Sequence, residues 1–301
     1  MESNFDDTRL FDYTDAELIE HITSLPHLHD FSNIVPLSSR YLAKGYVENE
    51  LEDAVRATTF ASELGIHVPS IQRIVRGDDS LYCIIDRISG TTLDIAWPDL
   101  GWITSLRLAF QLRSVINCLR SAVSASSGSL ATGKCRSFFL EDSYGLPPSA
   151  KPSEVDSFLN FWANFVTPRQ EIKKTPADHS IYPKPVLPYT RSFVFTHHDL
   201  APRNIILDRK NQLWLIDWDC AGFYPKFFEH AGMYNFIPTA WTKFAMWRWN
   251  IFAWIASGFY GKERRWLEII RSRFMRFRTA RRFNMKANGY AAAAARIDSD
   301  L

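Results

Sequence analysis

Three polar side chains in one stretch of this chain have the types and spacing to work on a phosphate held by a metal. Asp199 and Asn204 are five residues apart, and Asp217 follows thirteen later. Between the last two lie an apolar run (Ile205 to Leu207), a polar turn (Asp208 to Gln212) and a second apolar run (Leu213 to Ile216). Two short apolar runs joined by a polar turn predict a hairpin, which returns Asp217 to the end where Asn204 enters. Two oxygen-bearing side chains so placed suit Mg²⁺, which takes oxygen ligands and keeps several waters. Asp199, on the loop just before, is positioned to orient a hydroxyl or accept its proton. Phosphoryl transfer is the chemistry this favours, because there catalysis is mostly positioning and charge neutralisation.

The elements that must hold these groups are legible around them. Thr14-Asp-Ala-Glu17 has the pattern of a capping box and predicts a short helix towards Thr23. Asn33 to Gly45 reads as two strands around a Ser38-Ser39 turn, with Lys44 near the end of the second. From Glu50 to Leu64 the apolar residues Ala54, Ala57, Phe60, Ala61 and Leu64 recur at helical spacing. Glu50 and Asp53 project onto that same face, whereas Glu52, Arg56, Thr59 and Glu63 fall on the wet one. Strands are expected at Ile71 to Val75 and Leu81 to Gly90, and a long buried helix from Ile103 to Ala125. The proline-rich Thr175–Pro188, with His179 read as a solvated loop residue, is expected to lead into the strand before Asp199. Beyond Pro225 the chain turns aromatic and helical.

The segment His197-His-Asp-Leu-Ala-Pro-Arg-Asn204, continued by Ile216-Asp-Trp-Asp-Cys-Ala-Gly-Phe-Tyr-Pro225 and Glu229, resembles the aminoglycoside phosphotransferase and choline kinase branch of the protein-kinase-like fold. In detail it is most similar to the fungal phosphotransferase enzyme family. Protein kinases would carry Asp-Phe-Gly and an activation segment with Ala-Pro-Glu here, and this chain has neither. The resemblance implies an α+β, two-lobed fold: an N-terminal helical extension over 1–30, a nucleotide-binding lobe over 31–88 and a larger, mainly helical lobe over 89–301. It implies transfer of the γ-phosphate of ATP, with GTP possible, to a hydroxyl of a small acceptor in the presence of Mg²⁺.

By the same resemblance Asp199 is the base or orienter, and His197 packs under the loop to fix its backbone, both counted as catalytic. Asn204 and Asp217 are metal ligands, and Asp219 either assists the metal or holds the loop. Lys44 contacts the nucleotide phosphates, helped by Ser38 and Ser39 because no glycine-rich loop is present. Backbone groups from Asp86 to Ile88 meet the base, with Gly90 freeing the chain after this hinge. Glu50 is the acid expected to pair with Lys44, and Asp53 the second choice, although the best alignment sets Ala54 there. His198, where the family often has Gly, either lines the acceptor site or turns outward, and Arg203 points to solvent or to an acid.

Composition bounds the alternatives. With 301 residues, 46% of them hydrophobic, the chain can bury a sizeable core, and a net charge of +2 makes no case for nucleic acid. Four scattered cysteines suggest neither a zinc site nor a disulfide framework but reduced thiols in a cytoplasmic protein. The acidic start, Met1 to Asp7, does not read as a secretory signal, and no stretch is apolar enough for a transmembrane helix. Residues 262–286 hold ten Lys or Arg against Glu263 and Glu268, the pattern of a solvated face on a terminal helix. A nucleotide-binding pseudokinase acting as a scaffold is the competing reading. The acceptor and the oligomeric state stay open.

Overall fold

Thr14 accepts from Glu17 N at 3.3 Å and Glu17 returns to Thr14 N at 2.7 Å, so the capping box forms and starts α1 (Asp15–Ser24). The computed structural model describes residues 5–28, 33–140, 146–165, 190–277 and 279–281. Thr175–Pro188, His179, Glu141 to Gly145 and the stretch 282–301 lie outside the described residues.

The smaller lobe is an antiparallel sheet in the order β1-β2-β4-β3, from β1 (Ile34–Pro36), β2 (Tyr41–Gly45), β3 (Ile71–Arg76) and β4 (Leu81–Asp86). Its two faces are apolar in alternation, as strand geometry requires. Val35, Tyr41, Ala43, Val75 and Ile84 pack under α1 with Leu18 and Ile22. Arg73 locks α1 down by donating to Leu10 O (2.9 Å), Tyr13 O (2.7 Å) and Asp15 Oδ1 (2.6 Å). Cys83 and Leu81 face Leu51 of α2 (Glu48–Glu63). The predicted apolar stripe divides its work: Ala57 and Ala61 join the core of the larger lobe.

Past the crossover at 87–89 come β5 (Gly90–Thr92), α3 (Leu93–Ala96) and the long α4 (Trp102–Ser121). Gly90 does not supply a left-handed turn. It is required by close approach, since a Cβ there would meet Leu207 O at 2.5 Å. Helix α4 buries Leu108, Leu112, Ile116 and Leu119 against α7 (Lys243–Ser257). Trp97, Trp249 and Phe252 are shut from solvent in this core, each contributing about 1.5–3 kcal/mol by burial. A second core joins α5 (Pro152–Asn164), α6 (Phe227–Gly232) and α8 (Gly261–Arg276).

Two small sheets carry the polar stretch. One runs β10-β7-β6, from β6 (Val123–Ser124), β7 (Phe193–Thr196) and β10 (Gly222–Tyr224). The other runs β5-β8-β9 and contains the expected hairpin, β8 (Ile205–Asp208) with β9 (Leu213–Leu215), in the register Ile205↔Leu215. The fold is α+β and two-lobed.

Candidate active site

Strand β7 delivers the chain into His197-His-Asp199, and the loop is held from beneath. Glu229, buried on α6, accepts from His197 N at 2.9 Å and His198 N at 3.0 Å. Burial lifts its pKa to about 7, even though those two N–H groups favour the ionised form. His198 stands at φ +70°, a left-handed conformation that costs a side-chain-bearing residue about 1–2 kcal/mol. Gly232 lets α6 lie directly on that turn, because a Cβ there would sit 2.4 Å from His198 O. The His198 ring is packed against Phe138, Phe139, Tyr224 and Phe228 and is neutral, burial drawing its pKa to about 3. It neither points outward nor lines an open site.

His197 is also fully buried, and burial lowers its pKa to about 4. Asp199 N donates to its Nδ1 at 3.3 Å, so Nε2 carries the proton and donates to Ile216 O at 3.0 Å. The ring rests 4.4 Å from that of Trp218. His197 therefore joins the Asp199 loop to the Asp217 loop. It is a positioning residue, and its expected place among the catalytic groups is corrected because no face of it is open to a substrate.

Asp199 ends this chain of contacts. Its Oδ2 accepts from Asn204 Nδ2 at 2.9 Å and Arg203 at 3.2 Å, and its Oδ1 from Asn235 Nδ2 at 3.2 Å. Burial raises its pKa to about 6 against the pull of Arg203. Asn204 closes a 3-10 turn, Pro202–Asn204, and its carbonyl accepts from Ile216 N at 3.0 Å, tying the two ends of the hairpin together. Asp217 follows at φ +67°.

Lys44 crosses between the lobes to meet it. Its Nζ donates to Asp217 Oδ1 at 2.6 Å and Asp219 Oδ2 at 2.7 Å, while Tyr46 donates its hydroxyl to Asp219 Oδ1 at 3.0 Å. Burial works against the Lys44 charge, but the two carboxylates outweigh it and hold its pKa well above the usual value. Burial likewise pushes Asp217 up, and Lys44 more than reverses it.

Several expected contacts fall elsewhere. Glu50 does not reach Lys44: its side chain is 49% exposed and meets Arg136 at 3.2 Å. Asp53, the second choice, is buried but pins α2 to the larger lobe. It accepts from Ala131 N (3.2 Å), Thr132 N (2.9 Å), Thr132 Oγ1 (2.8 Å) and Arg136 Nε (2.9 Å). The physical reason is competition: Asp217 and Asp219 hold Lys44 directly, and Arg136 takes Glu50 and Asp53. Ser38 and Ser39 are misplaced for phosphates. They lie in the turn before β2, six and five residues or roughly 16–20 Å of extended chain from Lys44, and Ser38 Oγ caps its own turn by accepting from Arg40 N and Tyr41 N.

Ser39 and Ile88 instead line a cavity of ≈ 680 Å³ beside the crossover, with Gly90, Thr91, Leu207 and Asp208. That size suits a small-molecule ligand. Asp86 is already engaged, its N–H on Ser70 O (3.0 Å) and its carboxylate on Gln72 (2.9 Å), and Arg87 N donates to Arg40 O (2.7 Å). Of the expected base-contacting stretch, Arg87 and Ile88 line the cavity and Asp86 does not. Glu229, Asn235 and Arg136 were not singled out as site residues from sequence. Glu229 lay inside the resembling segment, but its partners are backbone atoms that no side-chain pattern reveals.

Asp217, Asn204 and Asp219 offer only oxygen donors, the ligand type of a hard cation. Lys44 takes one oxygen of Asp217 and leaves the other, and the Asn204 amide nitrogen is spent on Asp199, which leaves its carbonyl oxygen. Among the described residues no three His, Cys, Asp or Glu side chains form a metal cage. Mg²⁺ is commonly held by one or two carboxylates plus substrate phosphates rather than by a closed protein cage.

Residues 167–253 match the phosphotransferase enzyme family. No curated protein matches the chain. Among solved structures, the apo form of a thermostable mutant of aminoglycoside phosphotransferase APH(4)-Ia is 15% identical, with a TM-score of 0.50 over 95% of this chain and 97% of that one. APH(3'')-Id from Streptomyces rimosus is 15% identical, with a TM-score of 0.49 over 86% of this chain and 98% of that one. The streptomycin–ATP–APH(2")-IIa ternary complex is 12% identical, with a TM-score of 0.49 over 87% and 85%. The chain thus has the two-lobed fold of the aminoglycoside phosphotransferases, and over residues 167–253 it carries the match to the phosphotransferase enzyme family.

Proposed function

We propose that the protein transfers the γ-phosphoryl group of ATP to a hydroxyl of a small molecule in a Mg²⁺-dependent reaction. The nucleotide lies between the lobe of 31–88 and the lobe of 89–301. The observation that carries this reading is the convergence of groups from three distant segments, Lys44 on Asp217 at 2.6 Å and Asp199 on Asn204 at 2.9 Å, across a loop locked by His197.

In this reading the acceptor oxygen forms its bond to the γ-phosphorus as the bond to the bridging oxygen of ADP breaks. The hydroxyl proton passes to Asp199. Because the transition state is loose, Asp199 acts mainly by orienting the hydroxyl. Arg203 and Asn235 hold its carboxylate in place, and Lys44 supplies a fixed positive charge for the phosphates. Asp217 and Asn204, with Asp219 beside them, would hold Mg²⁺, which neutralises charge across the phosphates when bound. The base occupies the cavity at Ile88.

A nucleotide-binding scaffold without turnover is the second reading, favoured by one observation: Lys44 has no helix acid as partner and is drawn onto the carboxylates themselves. Calorimetry with ATP and GTP, with and without Mg²⁺, on the wild type and on Asp217→Ala, tests both. Binding that requires the metal and Asp217, followed by ADP release with a hydroxylated acceptor that Asp199→Ala abolishes, supports the transferase. Binding without transfer to any hydroxyl supports the scaffold. A folded protein that binds neither nucleotide refutes both.

A further inference from the structure

We infer that the acceptor carries an anionic group, a carboxylate or a phosphate, together with a flat apolar body beside its reacting hydroxyl. This rests on the phosphotransferase reading, since it concerns the substrate that Asp199 would orient.

Both oxygens of Asp199 lead to an arginine. Oδ2 accepts from Arg203 at 3.2 Å. Oδ1 accepts from Asn235 Nδ2 at 3.2 Å, and Asn235 Oδ1 accepts in turn from Arg271 at 3.4 Å. Two guanidinium groups therefore stand within one residue of the carboxylate. Each lies over a phenylalanine ring: Arg203 is 3.7 Å from the centre of Phe236, and Arg271 is 5.1 Å from that of Phe138. The two rings meet edge to face at 5.9 Å, and Phe236 is 52% exposed. Phe236 is the exposed part of this apolar surface, Phe138 lies partly buried behind it against His198, and a guanidinium stands over each ring.

The donors outnumber their uses. Arg203 Nε is buried and has no hydrogen-bond partner among the described residues. A guanidinium carries five N–H donors, and Arg271 spends one on Asn235 at a long distance. An unpaired buried donor on a cation is costly, and a carboxylate or phosphate oxygen is the acceptor that satisfies a guanidinium fork best. Among the described residues Asp199 is the one acid hydrogen-bonded to either arginine; Asp217 also lies in the field of Arg203, but Lys44 holds it. A polycationic acceptor would meet repulsion here, and electrostatic mismatch of that kind excludes substrates effectively. A planar body lies against the exposed ring of Phe236 as aromatic surfaces do.

Matched probes test this: benzyl alcohols bearing a para carboxylate, phosphate, carboxamide or aminomethyl group. Binding is measured by calorimetry with Mg²⁺ and a non-hydrolysable ATP analogue, and turnover as ADP release from ATP. The carboxylate or the phosphate is expected to bind at least about tenfold more tightly than the amine, and the better of the two identifies the anion. Arg271→Glu is expected to raise the KM of the acid about tenfold and to lower that of the amine, with Arg271→Lys recovering part of the loss. In the wild type, the affinity of the acid should fall with added salt while that of the carboxamide holds, a readout independent of how the variants fold. Equal or tighter binding of the amine, no binding of either acid, or an Arg271→Glu variant with unchanged preference overturns the inference. Charge-selective binding of the acids without ADP release refutes the phosphotransferase reading and leaves the anion site standing.

Discussion

Truncating Asp53 to Ala should unsettle this protein far more than truncating Glu50, although the two acids lie three residues apart on one helix. The Asp53 carboxylate is 1% exposed and accepts four hydrogen bonds from Ala131, Thr132 and Arg136, across the boundary between the lobes. Removing it leaves two backbone N–H groups and one edge of a guanidinium without an acceptor, while the Thr132 hydroxyl can turn to Ser129 Oγ at 3.0 Å. Orphaned buried donors cost about 1–3 kcal/mol each. Ala131 and Thr132 also line a cavity of ≈ 530 Å³, where water repays part of that loss. Breaking a buried pair of this kind costs about 3–5 kcal/mol, and the lower end is expected here. Glu50 has a half-exposed side chain and one contact, Arg136 at 3.2 Å. Solvent-screened pairs are worth about 0.2–1 kcal/mol, so Glu50→Ala should cost less than about 0.5 kcal/mol. Urea unfolding followed by tryptophan fluorescence measures both, and amide exchange along α2 reports whether the helix has come loose from the larger lobe. Adding Arg136→Ala to Asp53→Ala should cost less than the two losses summed, because the residues share one network. Mg²⁺-dependent ATP affinity should survive Glu50→Ala within about twofold, since Glu50 does not touch Lys44. Asp53→Ala within about 1 kcal/mol of wild type, or Glu50→Ala as costly as Asp53→Ala, would show that α2 is not pinned in this way.

The other expectations concern the loop that carries Asp199. Glu229→Gln sets an amide NH₂ against one of two buried backbone N–H groups; the lost bond to a charged acceptor costs about 1.5–3 kcal/mol, which at this chain length lowers Tm by roughly 3–10 °C. Turnover should fall more steeply, on the order of 10²-fold, because the loop positions Asp199; a variant as active and stable as wild type would remove Glu229 from its role. The pH profile has a definite sign. Asp199, lifted by burial to about 6, keeps its proton to higher pH than an ordinary aspartate, so at pH 5 only about a tenth of it is ionised and able to serve. The acceptor kcat/KM should therefore climb with unit slope up to about pH 6 and then level, and no loss from Lys44 is expected below pH 10 because its pKa is raised. A flat profile between pH 5 and pH 7 would count against Asp199 as the group that meets the hydroxyl.

What could be read from the chain was local. The capping box at Thr14, the hairpin between Asn204 and Asp217, and the long α4 depend on neighbours within one or two turns, so their residues announce them. The face of α2 was legible in part: Asp53 is buried with Ala54, Ala57 and Ala61, whereas Glu50, expected on the same face, is exposed and Leu51 is covered instead. Helical periodicity tells which side of a helix is covered, not what covers it. That is why Glu50 and Asp53 were both eligible for Lys44 and why neither meets it.

The amino-acid sequence by itself picked out the candidate set, Asp199, Asn204 and Asp217, because a short hairpin of set length brings these side chains together. Only the tertiary structure decided the partners. Lys44 meets an acid 173 residues away, Asp53 meets a loop some 80 residues on, and Glu229 holds backbone N–H groups that carry no residue identity at all. Such pairings depend on which charges come to share one desolvated space when the lobes close, where removal from water makes each unpaired group expensive and fixes its partner. That space exists only once the whole chain has folded.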